Sequence, residues 1–350
     1  MILGWRRRRS VLATGLAALL IGVSGCSGGD SAPESGASNS QPPVPPSATP
    51  PPSTVRPAEV TQRNPGWALD RIDQHQRPLN QRFSTVGEGQ GVTVYVVDGL
   101  FDVRHSDFGG RASVGLKAGV ACSLEDGIDH GLFVAGLVAG RRTGVAKQAK
   151  VVSVGSSYGC EGGEGEVTEA QRVARLAKAL NWVADHATKP AVVNLSFNVS
   201  PPVPAITASV QRIVDAGLTV VASAGNDGED ACKHPPAGLP KVVTVAASTE
   251  ADEDAGLNHG RCVDLFAPAE NITSLVDKTL VPSGIAPSEG AATSWAAPIV
   301  SGAAALYLSV HRTATPEEVR AWLIKNATQG ALKGPLQGSP NRLLFTGGPR

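Results

Sequence analysis

The pattern of apolar and polar positions changes character near residue 63. Beyond it, short unbroken apolar runs recur at 91–98 (GVTVYVVD), 149–154, 191–196, 218–222 and 242–246. They are rich in Val and show no strict alternation, which is how strands buried on both faces of a parallel sheet read. Between the runs the period becomes helical. Residues 168–187 place Val173, Leu176, Leu180 and Val183 on one face, with Thr168 positioned to cap the first turn. Residues 206–216 and 294–310 predict two further helices. Thr315-Pro316-Glu317-Glu318 opens another, with Pro at the first helical position and acids in the first turn. Buried strands alternating with helices predict an α/β fold, a mainly parallel sheet covered on both faces. In such folds the working groups gather beyond the carboxyl ends of the strands. That places Asp98, Ser196 and the loop after Ala222 on one rim.

Ahead of residue 63 the pattern is of another kind. Arg6 to Arg9 precede an apolar stretch at 11–23, too short to span a bilayer comfortably, and together they predict an export signal. The stretch ends in Val23-Ser24-Gly25-Cys26, which resembles the bacterial lipobox, where the cysteine becomes the lipidated first residue after cleavage. Arg8-Arg9-Ser10-Val11-Leu12 is loosely similar to a twin-arginine export motif. Residues 27–62, mostly Ser, Pro and Gly over much of their length, cannot bury enough apolar surface to offset their ordering entropy and predict a disordered tether. Its 41–52 stretch is stiffer and partly polyproline-II. The expected organisation is a signal at 1–26, a tether at 27–62 and one folded domain at 63–350.

Composition narrows the class. Apolar residues are 41% of the 350-residue chain and aromatics 4%, with 40 Gly and 26 Pro, which suits a packed α/β protein with many tight turns. Net formal charge is zero and no basic stripe follows the first ten residues, so nucleic acid is not an expected partner. With Cys26 set aside for lipid, Cys122, Cys160, Cys232 and Cys262 remain, without zinc-knuckle spacing. In an oxidising compartment they predict two disulfides, Cys122 with Cys160 and Cys232 with Cys262.

Three residue types on the predicted rim carry chemistry. Asp98 ends the first run, His130 follows in Asp126-Gly127-Ile128-Asp129-His130-Gly131, and Ser294 stands at the start of a predicted helix in Ala292-Thr293-Ser294-Trp295. Singly, each is an ordinary turn former, surface histidine or helix cap. Their order, Asp then His then Ser, is that of subtilisin and differs from other hydrolase folds. The neighbouring blocks agree. Asn64-Pro65-Gly66-Trp67-Ala68-Leu69-Asp70-Arg71-Ile72-Asp73, the stretch DGLFDVRHSDFGGRA at 98–112, Val221-Ala222-Ser223-Ala224-Gly225-Asn226, the 262–268 block CVDLFAP, and Thr293-Ser294 onward to GAAAL at 302–306 resemble the proteinase K-like branch of the subtilisin-like serine proteases. The resemblance covers roughly residues 63–345.

It implies a three-layer subtilisin-like fold and a monomeric serine endopeptidase that hydrolyses polypeptides through an acyl-enzyme. Ser294 would be the nucleophile, His130 its general base, and Asp98 the group that fixes the imidazole. Asn226 would donate to the oxyanion, and Ser196, Phe197 and Asn198 would form the substrate-binding edge. No cofactor would be needed for catalysis. A structural calcium would lie at Asp264 with the carbonyls of Pro240 and Val242. The protein would be exported and anchored through Cys26, facing the periplasm or the cell exterior.

The surroundings depart from the family pattern. Asp-Thr/Ser-Gly becomes Asp98-Gly99-Leu100, His-Gly-Thr-His becomes His130-Gly131-Leu132-Phe133, and the residue after the serine is Trp295 instead of Met. Ser-Leu-Gly-Gly becomes Ser196-Phe197-Asn198-Val199. The glycines of that edge let a peptide lie down as an added strand, so side chains at 198 and 199 would narrow or reshape the pocket. Between signal and enzyme stands the tether, where the relatives carry a folded inhibitory propeptide. A second reading is therefore a subtilase-fold lipoprotein that binds peptides with weak or no hydrolysis. The complete Asp98, His130, Ser294 and Asn226 set favours the protease. An α/β-hydrolase esterase is excluded, since Ser294 lacks the Gly-x-Ser-x-Gly elbow and the order differs.

Overall fold

A computed structural model describes residues 59–119, 128–156 and 167–347. The export signal, Cys26, the tether up to residue 58, and the Cys122–Cys160 pairing lie outside these residues. The chain opens with strands β1 (Glu59–Arg63) and β2 (Arg82–Val86), an antiparallel pair flanking helix α1 (Trp67–Ile72). Strands β3 (Thr93–Asp98) and β4 (Ala112–Lys117) follow, then helix α2 (His130–Ala139), β5 (Lys150–Gly155), α3 (Glu169–His186), β6 (Ala191–Leu195), α4 (Pro204–Asp215), β7 (Thr219–Ser223), β8 (Val243–Ser248) and β9 (Leu265–Pro268). A short antiparallel pair, β10 (Thr273–Leu275) and β11 (Ile285–Pro287), leads to α5 (Thr293–Val310), α6 (Pro316–Asn326), β12 (Thr328–Gln329) and β13 (Arg342–Leu343).

Among the described residues, nine strands form one sheet in the order β12-β13-β9-β8-β7-β6-β3-β5-β4. Every pairing in it is parallel except β12 with β13. The five apolar runs read from the sequence are β3, β5, β6, β7 and β8. Alternate residues of β3 serve opposite faces. Val94 and Val96 pack with α2 and α5, while Tyr95 and Val97 pack with α3 and α4. This is the three-layer α/β arrangement expected from the sequence. On α3, Leu176, Leu180 and Val183 are fully buried, contributing about 1.5–3 kcal/mol each by removal from water. Thr168 and Gln171 form the reciprocal capping box at its start.

Two elements differ from the sequence pattern. Helix α2 carries no amphipathic period, because residues 131–139 are buried all round it. Strand β1 begins at Glu59, ahead of the boundary placed at 63, and its residues are nearly all exposed, so it has no apolar face to detect. The register then sets the rim. Asp98 stands opposite Gly155, Val97 opposite Leu195, and Leu195 opposite Ala222, so the chain leaves β3, β6 and β7 at one level.

Candidate active site

Asp98 is buried at the end of β3, 7% exposed. Its Oδ1 accepts from the Gly99 amide at 2.7 Å and from His130 Nδ1 at 2.9 Å, and the same Nδ1 lies 3.0 Å from Oδ2. With Nδ1–H committed to the carboxylate, His130 Nε2 is the ring's available base. Asp129 fixes the ring's helix by capping α2, its Oδ1 accepting from the Leu132 amide at 3.0 Å. Burial pulls the His130 pKa down, but the charge and hydrogen bond of Asp98, with Asp129 adding, outweigh it and leave the imidazole above its ordinary value. Burial lifts the Asp129 carboxyl to about 7, against the Leu132 hydrogen bond and with the Asp98 charge adding.

The departures at 99 and 100 are accommodated locally. The Gly99 amide holds Asp98 where a neighbouring hydroxyl would otherwise help. A Cβ on Gly131 would stand 2.4 Å from Gly99 O, so only glycine lets α2 approach the end of β3 this closely. Leu100 fits because residue 155 is glycine, where a Cβ would lie 2.5 Å from Leu100 Cγ.

Ser294 lies in the first turn of α5, 8% exposed. Its Oγ donates to Ser196 O at 3.2 Å, and Ser196 Oγ donates back to Ser294 O at 3.0 Å. Asn194 and Ser301 extend this buried link between β6 and α5, Asn194 Nδ2 donating to Ser196 Oγ and Ser301 Oγ to Asn194 Oδ1, both at 2.9 Å. Helix α5 has no side-chain cap of its own at Ala292. Asn226 supplies one from a distance. Its Oδ1 accepts from the Thr293 amide at 2.9 Å and from Thr293 Oγ1 at 2.8 Å. The amide donor settles which end of the Asn226 side chain is oxygen. The Nδ2 group is thereby turned away from Thr293, while the Ser294 N–H is a first-turn donor of α5.

The departures at 133 and 295 touch each other. Trp295 is buried with its ring 4.4 Å from that of Phe133 and 5.1 Å from that of His130. The edge at 196–199 is also changed by its side chains. Asn198 Nδ2 donates to Ser223 O at 2.9 Å and to His234 O at 3.0 Å, while Ser223 Oγ donates to Asn198 Oδ1 at 3.2 Å. Phe197 is partly buried against the α3–α4 side of the sheet.

The calcium expectation meets a different arrangement. Asp264 Oδ2 accepts from the Thr244 amide at 3.0 Å and from Arg320 Nε at 3.2 Å, and Arg320 Nη2 binds Oδ1. Both carboxylate oxygens face donors, so a cation drawn to Asp264, Pro240 and Val242 would lie against a guanidinium. These residues do not fit a calcium ion.

The structure thus brings Asp98, His130, Ser294, Asn226, Ser196 and Asn198 to one rim, and sets Asp264, Pro240 and Val242 elsewhere. Asp129, Thr293, Ser223 and His234 join the rim without having been singled out. Thr293 and Asp129 each adjoin a candidate residue, which was the available signal. Ser223 lies within the quoted 221–226 block, but its contact with Asn198 and that of His234 come from distant parts of the chain. Cys232 and Cys262 are disulfide-bonded, as expected from the sequence.

This fold, with a hydrogen-bonded Asp–His pair whose imidazole packs on the residue after a serine at a helix start, defines a subtilisin-like class. The subtilase family matches residues 89–341, and the chain belongs to that family. It is 39% identical over 282 residues to an extracellular serine proteinase of Thermus sp. (strain Rt41A), covering 80% of this chain and 66% of that protein. It is 35% identical over 291 residues to alkaline serine exoprotease A of Vibrio alginolyticus, covering 83% of this chain and 52% of that one. The chain therefore spans between half and two thirds of the length of these curated relatives. A crystal structure of a cold-adapted subtilisin-like serine proteinase superposes with a TM-score of 0.69 at 33% identity, over 81% of this chain and 98% of that one.

Proposed function

We propose that the protein is a serine endopeptidase acting on polypeptides through an acyl-enzyme. The observation that carries this reading is the hydrogen-bonded Asp98–His130 pair, its imidazole against Trp295, the residue after Ser294, with the Asn226 amide held by Thr293. Ser294 Oγ turns from Ser196 O toward His130 Nε2, gives up its proton and attacks the scissile carbonyl carbon. The charge that develops on the carbonyl oxygen is met by Asn226 Nδ2 and the Ser294 N–H. His130 then passes the proton to the leaving amine, the C–N bond breaks, and water repeats the sequence in reverse to free Ser294. Asp98 keeps the proton of neutral His130 on Nδ1 and stabilises the imidazolium. Each step uses groups that the chain itself supplies.

We further propose that the enzyme is exported, works as a monomer and is held to a membrane surface by a lipid on Cys26, with the residues between Cys26 and β1 as tether. The charged head, apolar stretch and lipobox support this. The folded domain then acts on proteins close to that surface.

A fluorophosphonate probe tests the activity. The purified protein is expected to be labelled and its Ser294→Ala variant is not. A wild-type protein that resists labelling would leave the peptide-binding, non-hydrolytic reading in its place. Loss of labelled palmitate from a Cys26→Ser variant tests the anchor.

A further inference from the structure

We infer that Asn198 is a built-in floor in the pocket for the side chain on the acyl side of the cleaved bond, restricting that position to small residues such as Gly, Ala or Ser. The inference rests on the protease reading and adds a substrate class to it.

The pocket's place follows from the strand ends. Strands β6 and β7 are parallel neighbours in register at Leu195 and Ala222. Just beyond, residues 196–199 and 223–226 leave the sheet side by side, with Ser294 Oγ 3.2 Å from Ser196 O at the mouth of the gap. Asn226 closes the other side. A peptide whose carbonyl oxygen lay between Asn226 Nδ2 and the Ser294 N–H would have its acyl-side side chain beside the gap between those two segments, beyond the carboxyl ends of the strands.

That gap is already bridged. The Asn198 side chain leaves one segment and donates both amide hydrogens across it, to Ser223 O at 2.9 Å and His234 O at 3.0 Å. Its oxygen accepts from Ser223 Oγ at 3.2 Å. Oδ1 also reaches the face of Gly225, the residue before Asn226, where a Cβ would stand 3.4 Å from it. The amide therefore lies directly beside the oxyanion residue, inside the gap.

The bridge is rigid as well as present. With both N–H groups and the carbonyl engaged, moving the amide aside would strip partners from Asn198, Ser223 and His234 together. The far side cannot slide away either. His234 is buried, its Nε2 lies 3.0 Å from Glu229 Oε2, and the Val199 amide donates to Pro235 O at 2.8 Å. A benzyl or isobutyl group entering the gap would press on this bridge, whereas a methyl or hydroxymethyl group reaches less far.

The experiment compares succinyl-Ala-Ala-Pro-X p-nitroanilides with X as Ala, Leu or Phe, on the wild type, Asn198→Gly and Ser223→Ala, each first checked for fluorophosphonate labelling. Wild-type kcat/KM is expected to favour Ala over Phe by about tenfold or more, the scale on which a pocket discriminates by size. Asn198→Gly should move that ratio at least about tenfold toward Phe, and Ser223→Ala, which frees the amide oxygen, should move it the same way by less. A labelled wild type that cleaves after Phe as well as after Ala overturns the inference and leaves the protease reading intact. So does a labelled Asn198→Gly with the wild-type ratio. If Asn198→Gly fails to fold, Ser223→Ala decides alone, and its unchanged ratio overturns the inference. A wild type that is not labelled overturns both.

Discussion

The indole of Trp295 lies against the imidazole of His130, ring centroids 5.1 Å apart and inclined by 36°. The contact joins the proposed base to the residue that follows the proposed nucleophile. The indole face is electron-rich, so it favours the imidazolium over the neutral ring. An imidazolium at this distance also quenches indole emission. The difference in emission between wild type and Trp295→Phe should therefore fall as pH drops through the His130 pKa. A difference that stays flat while pH crosses the acid limb of kcat/KM would contradict the stacking, since the same ring would set both.

The pH dependence of hydrolysis follows from the same ring. The proposed mechanism needs neutral His130, whose pKa is raised because Asp98 and Asp129 outweigh burial. The acid limb of kcat/KM should then lie above the ordinary histidine value. Asp129→Asn keeps a good helix cap while removing one neighbouring charge, so it should move that limb to lower pH. Stability supplies a second reading. A carboxyl lifted from 3.8 to about 7 favours the folded state below pH 3.8, and that contribution is lost as pH rises through about 7. His130, also raised, stabilises below its unfolded value and loses that contribution as pH rises through its folded one. Relative to wild type, Asp129→Asn should thus gain Tm between about pH 5 and pH 8. An acid limb unmoved by the substitution would count against the coupling.

Thr293 holds the side chain of the proposed oxyanion donor Asn226. Replacing Asn226 with Ala should lower kcat about a hundred- to a thousandfold, the loss seen when such a donor is removed from a subtilisin. Thr293→Val keeps the backbone donor but removes the hydroxyl that holds Oδ1, and should lower kcat about tenfold with KM nearly unchanged. In the Asn226→Ala background the same change should have no further effect. Additive losses in the double variant would show that Thr293 acts independently.

Asp264 and Arg320 make a thermal prediction. The carboxylate is buried and the guanidinium half-exposed, with side-chain exposures of 7% and 42%. Losing Arg320 leaves Asp264 with the Thr244 amide, a cost of about 2 kcal/mol after allowance for screening at the exposed partner. Arg320→Ala should lower Tm by several degrees. Chelation should have the same effect on wild type as on Asp264→Asn. A chelator that lowers the Tm of wild type alone would restore a metal to this site.

Much of the sheet is legible in the sequence, because strands buried on both faces must be apolar without interruption. The starts of α3 and α6 are legible too, since Thr168 and Thr315 sit in local capping patterns that the structure forms. Helix α2 is hidden because it is apolar on every side. At the site, Asp98, His130, Ser294 and Asn226 announce themselves by order and neighbours. What sequence order cannot convey is which departures compensate one another. Leu100 requires Gly155, Phe133 meets Trp295, and Asn198 reaches partners 25 and 36 residues away. The expected calcium ligands were legible as residues, but Arg320, 56 positions from Asp264, was not.

Trp295 has one more consequence. The chain's single methionine is Met1, and among the described residues the only cysteines are the bonded Cys232 and Cys262. Among the described residues, the proposed catalytic surface therefore offers a peroxide neither a thioether nor a thiol, the side chains such oxidants attack first. Placed on the outside of a cell, as proposed, such a surface would resist hydrogen peroxide where a methionine beside the serine would not.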